Sequence, residues 1–118
     1  MINIKEFMKN NNITILVEVD VKDNMFHIHK LNKELQSYDL FEQIILFSNV
    51  DTLMQSTTGQ LLPRIWTQGD SKCAICRPNE EKIVCVFYDT QMDAKDNYFY
   101  ATRLCDELSA VFNPGSIQ

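Results

Sequence analysis

Glycine and proline are scarce in this chain, three of each in 118 residues, about half the average usage, and none of the six occurs before Gly59. So low a count excludes a collagen-like array and a disordered linker. It also argues against an all-β sandwich, which needs a turn every ten residues or so. No run of Lys or Arg occurs, and 11 basic against 16 acidic residues leave a net charge of −5 and a pI near 4.9. The electrostatic footprint of a phosphate-backbone binder is therefore missing, and no nucleic-acid partner is expected. No apolar stretch reaches the length of about 18 residues that a membrane span needs, and Met1-Ile2-Asn3-Ile4-Lys5-Glu6 lacks the charged-then-apolar layout of a signal peptide. A cytoplasmic location without membrane insertion is the expectation. Cysteine is also sparse and unevenly spaced, at Cys73, Cys76, Cys85 and Cys105, so free thiols are expected in a reducing compartment.

What the chain does have, 45% hydrophobic and 23% charged residues, suits one compact domain over residues 1–118. A chain of this length buries roughly two-thirds of its unfolded surface, enough for a core without a metal or a staple. Asn3 is placed to cap a short helix with Ile4, Phe7 and Met8 on one face. From Ile13 the period changes to two: Ile13, Ile15, Val17, Val19 and Val21 point one way, and Thr14, Leu16, Glu18 and Asp20 the other. Lys22-Asp23-Asn24 supplies turn residues, and Met25 to Leu31 returns as the second strand of a hairpin.

Asp39, with Glu42 in capping-box spacing, is expected to open one long helix that runs to Thr58 and stops at Gly59. Its apolar residues, Leu40, Phe41, Ile44, Ile45, Leu46, Phe47, Val50, Leu53 and Met54, cover more than half of the circumference. One face suffices for the sheet, so the excess asks for a second partner, most simply another copy of the helix. Three short strands follow, Leu61–Gln68, Lys72–Arg77 and Lys82–Tyr88, joined by Gly69-Asp70-Ser71 and by Pro78-Asn79-Glu80-Glu81. These connections make an antiparallel meander in which the last strand is central and the one with Pro63 lies at an edge. Asp93 or Asp96 opens a final helix with a stripe of Tyr98, Ala101, Leu104, Cys105, Leu108, Val111 and Phe112, ended by Asn113-Pro114-Gly115.

The order α-β-β-α-β-β-β-α from Ile4 to Phe112 resembles the roadblock family, the dynein light chain and MglB type of small dimeric domain. The turn at Lys22-Asp23-Asn24 departs from that family in lacking its common Asp-Gly pair. The resemblance implies an α+β sandwich, roadblock/profilin-like, with a five-stranded antiparallel sheet and helices on both faces. It also implies a non-catalytic dimerisation or adaptor module, a homodimer or paralogous heterodimer that scaffolds or regulates a small Ras-like GTPase or a motor complex. Phe41, Ile45, Val50, Leu53, Ile65 and Trp66 are the interface residues expected from it.

A second reading is a secretion-chaperone-like acidic dimer that binds an effector segment, since its elements come in a similar order. A third is a metal-binding protein or enzyme built on His27 and His29, which share a strand face, with Glu18 or Asp20 beside them. Cys73-Ala74-Ile75-Cys76 has the spacing of a zinc knuckle, but residues three apart on a strand point to opposite faces, which favours structural thiols. Asp89, Asp93 and Asp96 lack the glycine and distal glutamate of a calcium loop, and capping accounts for them. With no Gly-x-Ser-x-Gly elbow and only isolated glycines, neither an acyl-transfer enzyme nor a nucleotide hydrolase is expected. No cofactor is expected either.

Overall fold

A computed structural model describes residues 3–58 and 63–112. Helix α1 spans Ile4–Asn10, and Asn3 caps it as expected, its Oδ1 accepting from the amides of Lys5 (2.8 Å) and Glu6 (3.3 Å). Strands β1 (Ile15–Asp20) and β2 (Met25–Lys30) form the hairpin. Asn24, in the left-handed region at φ 56°, makes the turn that a glycine usually makes. Next come α2 (Tyr38–Phe41), a π-helical turn (Glu42–Leu46) and α3 (Val50–Thr57), then β3 (Arg64–Gln68), β4 (Ser71–Asn79), β5 (Lys82–Asp89) and α4 (Ala94–Phe112).

All strand pairs are antiparallel, and the spatial order is β2-β1-β5-β4-β3. The central β5 is buried from Ile83 to Tyr88 on both faces, which explains its uninterrupted apolar run. On one face Val17, Ile75, Cys85 and Phe87 pack beneath Leu40, Phe41, Ile45, Val50 and Leu53 from the α2–α3 layer. On the other, Leu16, Ala74, Val84 and Val86 meet Phe7 and Met8 of α1 and Ala101, Leu104 and Leu108 of α4. This is the α+β arrangement expected, five strands with helices on both faces.

Several local expectations fail for identifiable reasons. Ile13 joins the α1–α4 side rather than the side of Ile15, because it precedes β1, which begins only at Ile15. The single helix from Asp39 to Thr58 is three pieces; Ser37 precedes it, and Asp39 lies within its first turn instead of capping it. Pro78 sits inside β4, at an irregularity between Cys76 and Asn79 that accommodates its missing N–H, so the turn is Glu80-Glu81 alone. On α4, Asn97 is buried in place of Tyr98, which is exposed; the Tyr88 hydroxyl donates to Asn97 Oδ1 at 2.7 Å and makes that polar burial affordable. Asp93 is the cap, accepting from the Asp96 amide at 2.8 Å. Gly59, Leu61 and Asn113-Pro114-Gly115 lie outside the described residues.

The four thiols are not all free. Cys76 and Cys105 form a disulfide that joins β4 to α4, while Cys73 and Cys85 remain reduced and buried on the opposite face. The alternation that separates Cys73 from Cys76 holds as expected. What it hid is that Cys76, turned toward α4, meets a cysteine there.

Candidate functional site

The break in the central helix layer begins with the Phe47 amide, which donates to Glu42 O at 2.8 Å, five residues back rather than four. Phe41 and Ile45 still point into the core, but Leu46 and Phe47 are left 52% and 77% exposed. Asn49 then extends the backbone (φ −142°, ψ 173°), and its Oδ1 accepts from the Thr52 amide at 2.8 Å, starting α3 afresh.

Between this broken layer and β3 lies a cleft of about 220 Å³, with Leu40, Ile44, Leu53, Trp66 and Ile75 as its apolar walls. Gln43, Ser48 and Thr52 line it as well, so among the described residues its lining is uncharged. β3 is the last strand on its side of the five-stranded sheet. Trp66 stands opposite Cys73 in register and so faces the helix layer; it is 41% exposed, and the Arg64 guanidinium lies 4.9 Å from its ring centre. Ile65, opposite Ala74, faces the other way.

The residues expected at an interface thus divide. Phe41, Ile45, Val50 and Leu53 are buried within the chain's own core, Ile65 is half-buried on the α4 side, and Trp66 is exposed beside the cleft. Leu46, Phe47 and Thr52 are exposed positions of this layer that uniform helical spacing does not single out. The signal for the break was present in Ser48-Asn49, a capping pair inside an otherwise apolar run.

A larger cleft of about 700 Å³ lies beside the loop after β2, lined by Lys30, Lys33, Glu34, Leu35 and Tyr38 among others. Its lysines are engaged internally. Lys30 Nζ lies 3.1 Å from the Tyr38 hydroxyl, and Lys33 Nζ lies 2.7 Å from Asn12 Oδ1.

His27 and His29 do share a face, and each binds its own carboxylate: His27 Nε2 lies 3.0 Å from Asp20 Oδ2, and His29 Nε2 2.6 Å from Glu18 Oε2. Lys82 on β5 bridges the two acids, at 3.0 Å from Glu18 Oε1 and 3.1 Å from Asp20 Oδ1. Burial works against the Glu18 carboxylate, but Lys82 and His29 hold its pKa below the usual value. The Lys82 hydrogen bond likewise lowers Asp20. Lys82, opposed by its own burial, is raised by the two acids. The group is a charge ladder across three strands, and among the described residues no three such side chains are placed to hold a metal ion. Of the carboxylates near α4, Asp89 takes the Gln36 amide (3.0 Å) and the Ser71 hydroxyl (2.5 Å), pinning the loop before α2.

No family model and no curated protein matches the chain. Solved structures do. An MglB with a tetrameric arrangement is 8% identical and covers 91% of this chain and 82% of that one, at a TM-score of 0.55. Myxococcus xanthus MglB is 12% identical and covers 92% and 90%, at 0.51. At such identities the likeness is one of fold, and it agrees with the roadblock-type element order of the sequence.

Proposed function

We propose that the chain, as one roadblock-like domain, is a non-catalytic, self-associating adaptor whose meeting surface is the outer side of the α2–α3 layer together with the β3 edge. The observation that carries this reading is the cleft between the helix layer and the terminal strand β3, lined by uncharged side chains among the described residues, with Leu46, Phe47 and Trp66 exposed around that layer. The MglB-like fold supports it, one of those neighbours being described as tetrameric. Phe41, Ile45, Val50 and Leu53 serve the interface from inside, by fixing the layer that presents it, and Trp66 serves it directly. The partner class that goes with this reading is a small Ras-like GTPase or a motor component.

A cytoplasmic setting belongs to the same reading. No helix among the described residues is long and apolar enough to cross a membrane, whereas the Cys76–Cys105 disulfide is the observation that speaks against a reducing compartment. Light scattering at tens of micromolar tests the self-association: a dimer or tetramer is expected, reduced to monomer by Trp66→Glu, and a monomeric wild type would sink the proposal.

A further inference from the structure

In a chain of net charge −5, three lysines gather at the end of β2, the opposite edge of the sheet from β3. Lys30 and Lys33 line the cleft of about 700 Å³, and Lys5 reaches the same strand end, its Nζ donating to Lys30 O at 2.6 Å. Among the described residues none of the three forms an ion pair, whereas Lys82 is held by two carboxylates. The acceptors facing Lys30 and Lys33, the Tyr38 hydroxyl and Asn12 Oδ1, are neutral. Such hydrogen bonds fix where an ammonium sits without cancelling its charge. We infer that this cleft binds a small organic anion, its charged head on Lys30 and Lys33 and its apolar body on Leu31, Leu35 and the Tyr38 ring.

The walls of the cleft are tied at both ends of its loop. The Leu31 amide donates to Thr14 O at 3.1 Å, and the Gln36 and Ser37 amides donate to Asp89 Oδ2 at 3.0 Å and Ser71 Oγ at 2.8 Å. The cavity is therefore formed before anything enters it, and its size lies within the roughly 300–1,000 Å³ typical of small-molecule sites. Its chemistry is mixed in the way an amphipathic ligand needs: Leu31, Leu35 and the Tyr38 ring stand beside the two ammonium groups. Glu34 is the one acid among the described lining residues, so the local charge is positive, opposite in sign to that of the whole chain. Lys30 Nζ also lies 5.2 Å from the Tyr38 ring centre and 5.3 Å from that of Phe41. A long side chain already held this way loses less freedom when it takes up an anion.

Fluorescence titration of the full chain with anilinonaphthalene sulfonate, an aromatic anion, tests the site, and phenylnaphthylamine, the same ring system without the sulfonate, is the neutral control. Lys30→Gln and Lys33→Gln are each expected to weaken sulfonate binding roughly tenfold. Glu34→Gln is expected to tighten it roughly twofold, a change in the opposite direction that no loss of folding can imitate. All three side chains are exposed, so the circular dichroism spectrum should not change, and the affinity of the neutral control should not follow the substitutions. Amide chemical shifts are expected to move at Asn32, Lys33, Leu35 and Tyr38 and not at Trp66. Naphthyl phosphate and naphthoate, added as competitors, tell a phosphate ester from a carboxylate as the preferred head, and displacement by either supports the site. Failure of the sulfonate to bind, an affinity indifferent to all three substitutions, equal binding of the neutral control, shifts centred on Trp66, or displacement by neither competitor overturns it.

Discussion

Lys82 donates to Glu18 at 3.0 Å across the β1–β5 pair, although the residue opposite it in register is Asp20, to which it also donates at 3.1 Å. One ammonium therefore holds two carboxylates two residues apart on a neighbouring strand. Both acids have pKa values below their ordinary 4.5 and 3.8, so the stability they contribute is complete above those values and is lost as pH falls through the lowered ones. For Lys82, raised above 10.5, the contribution is complete below that value and lost as pH rises through the raised one. Lys82→Met is expected to cost about 1–2 kcal/mol at pH 7, with the difference vanishing once both acids are protonated. Urea midpoints between pH 2.5 and pH 7 check this; an equal loss at both ends would contradict it.

The central helix layer predicts a sharp contrast between neighbouring positions. Leu53→Ala, inside the core, is expected to lose about 2–4 kcal/mol of unfolding free energy. Phe47→Ala, measured at concentrations too low for association, should change it by less than about 0.5 kcal/mol. Chemical denaturation of both variants reads the contrast directly. Equal losses would mean that the layer is seated differently.

Asn49 restarts the helix, and its cap can be tested alone. Asn49→Ala should cost about 1 kcal/mol, and Asn49→Asp should restore most of it, because the carboxylate accepts the same Thr52 amide. Thermal melts of the pair distinguish a capping loss from a packing loss, which Asp would not rescue.

The Cys76–Cys105 bond spans 29 residues, a loop long enough for its removal to cost about 2–4 kcal/mol. Cys105→Ser should lower the denaturation midpoint accordingly. Thiol titration of the unfolded wild type should find two reactive groups without reductant and four with it. Four without reductant would refute the bridge.

Much of the architecture was legible because single elements carried it. The period-two run from Ile15 to Val19 identifies a strand, the unbroken apolar β5 identifies a central one, and the meander follows from its short connections. The helix layer was less legible. Apolar periodicity over Leu40–Met54 is consistent with a continuous helix, and only Ser48-Asn49 hints that hydrogen bonding restarts there. The six expected interface residues were chosen as apolar and helix-borne, which also describes core residues; burial moved Phe41, Ile45, Val50 and Leu53 inward and left Phe47 outside. The disulfide was hidden because spacing along the chain cannot show that β4 and α4 bring Cys76 and Cys105 together.

The position of β1 has a consequence for synthesis. It lies between β2, which follows after a four-residue turn, and β5, which is separated from it by about 60 residues. On the ribosome the hairpin's inner edge, with Val17 and Val19, must therefore wait some 3–12 s for its second neighbour, at about 5–20 residues per second. During that interval it is a bare template for any passing strand. The alternating acids Glu18 and Asp20, still without Lys82, place charged side chains along that waiting strand, a feature that discourages edge-to-edge pairing.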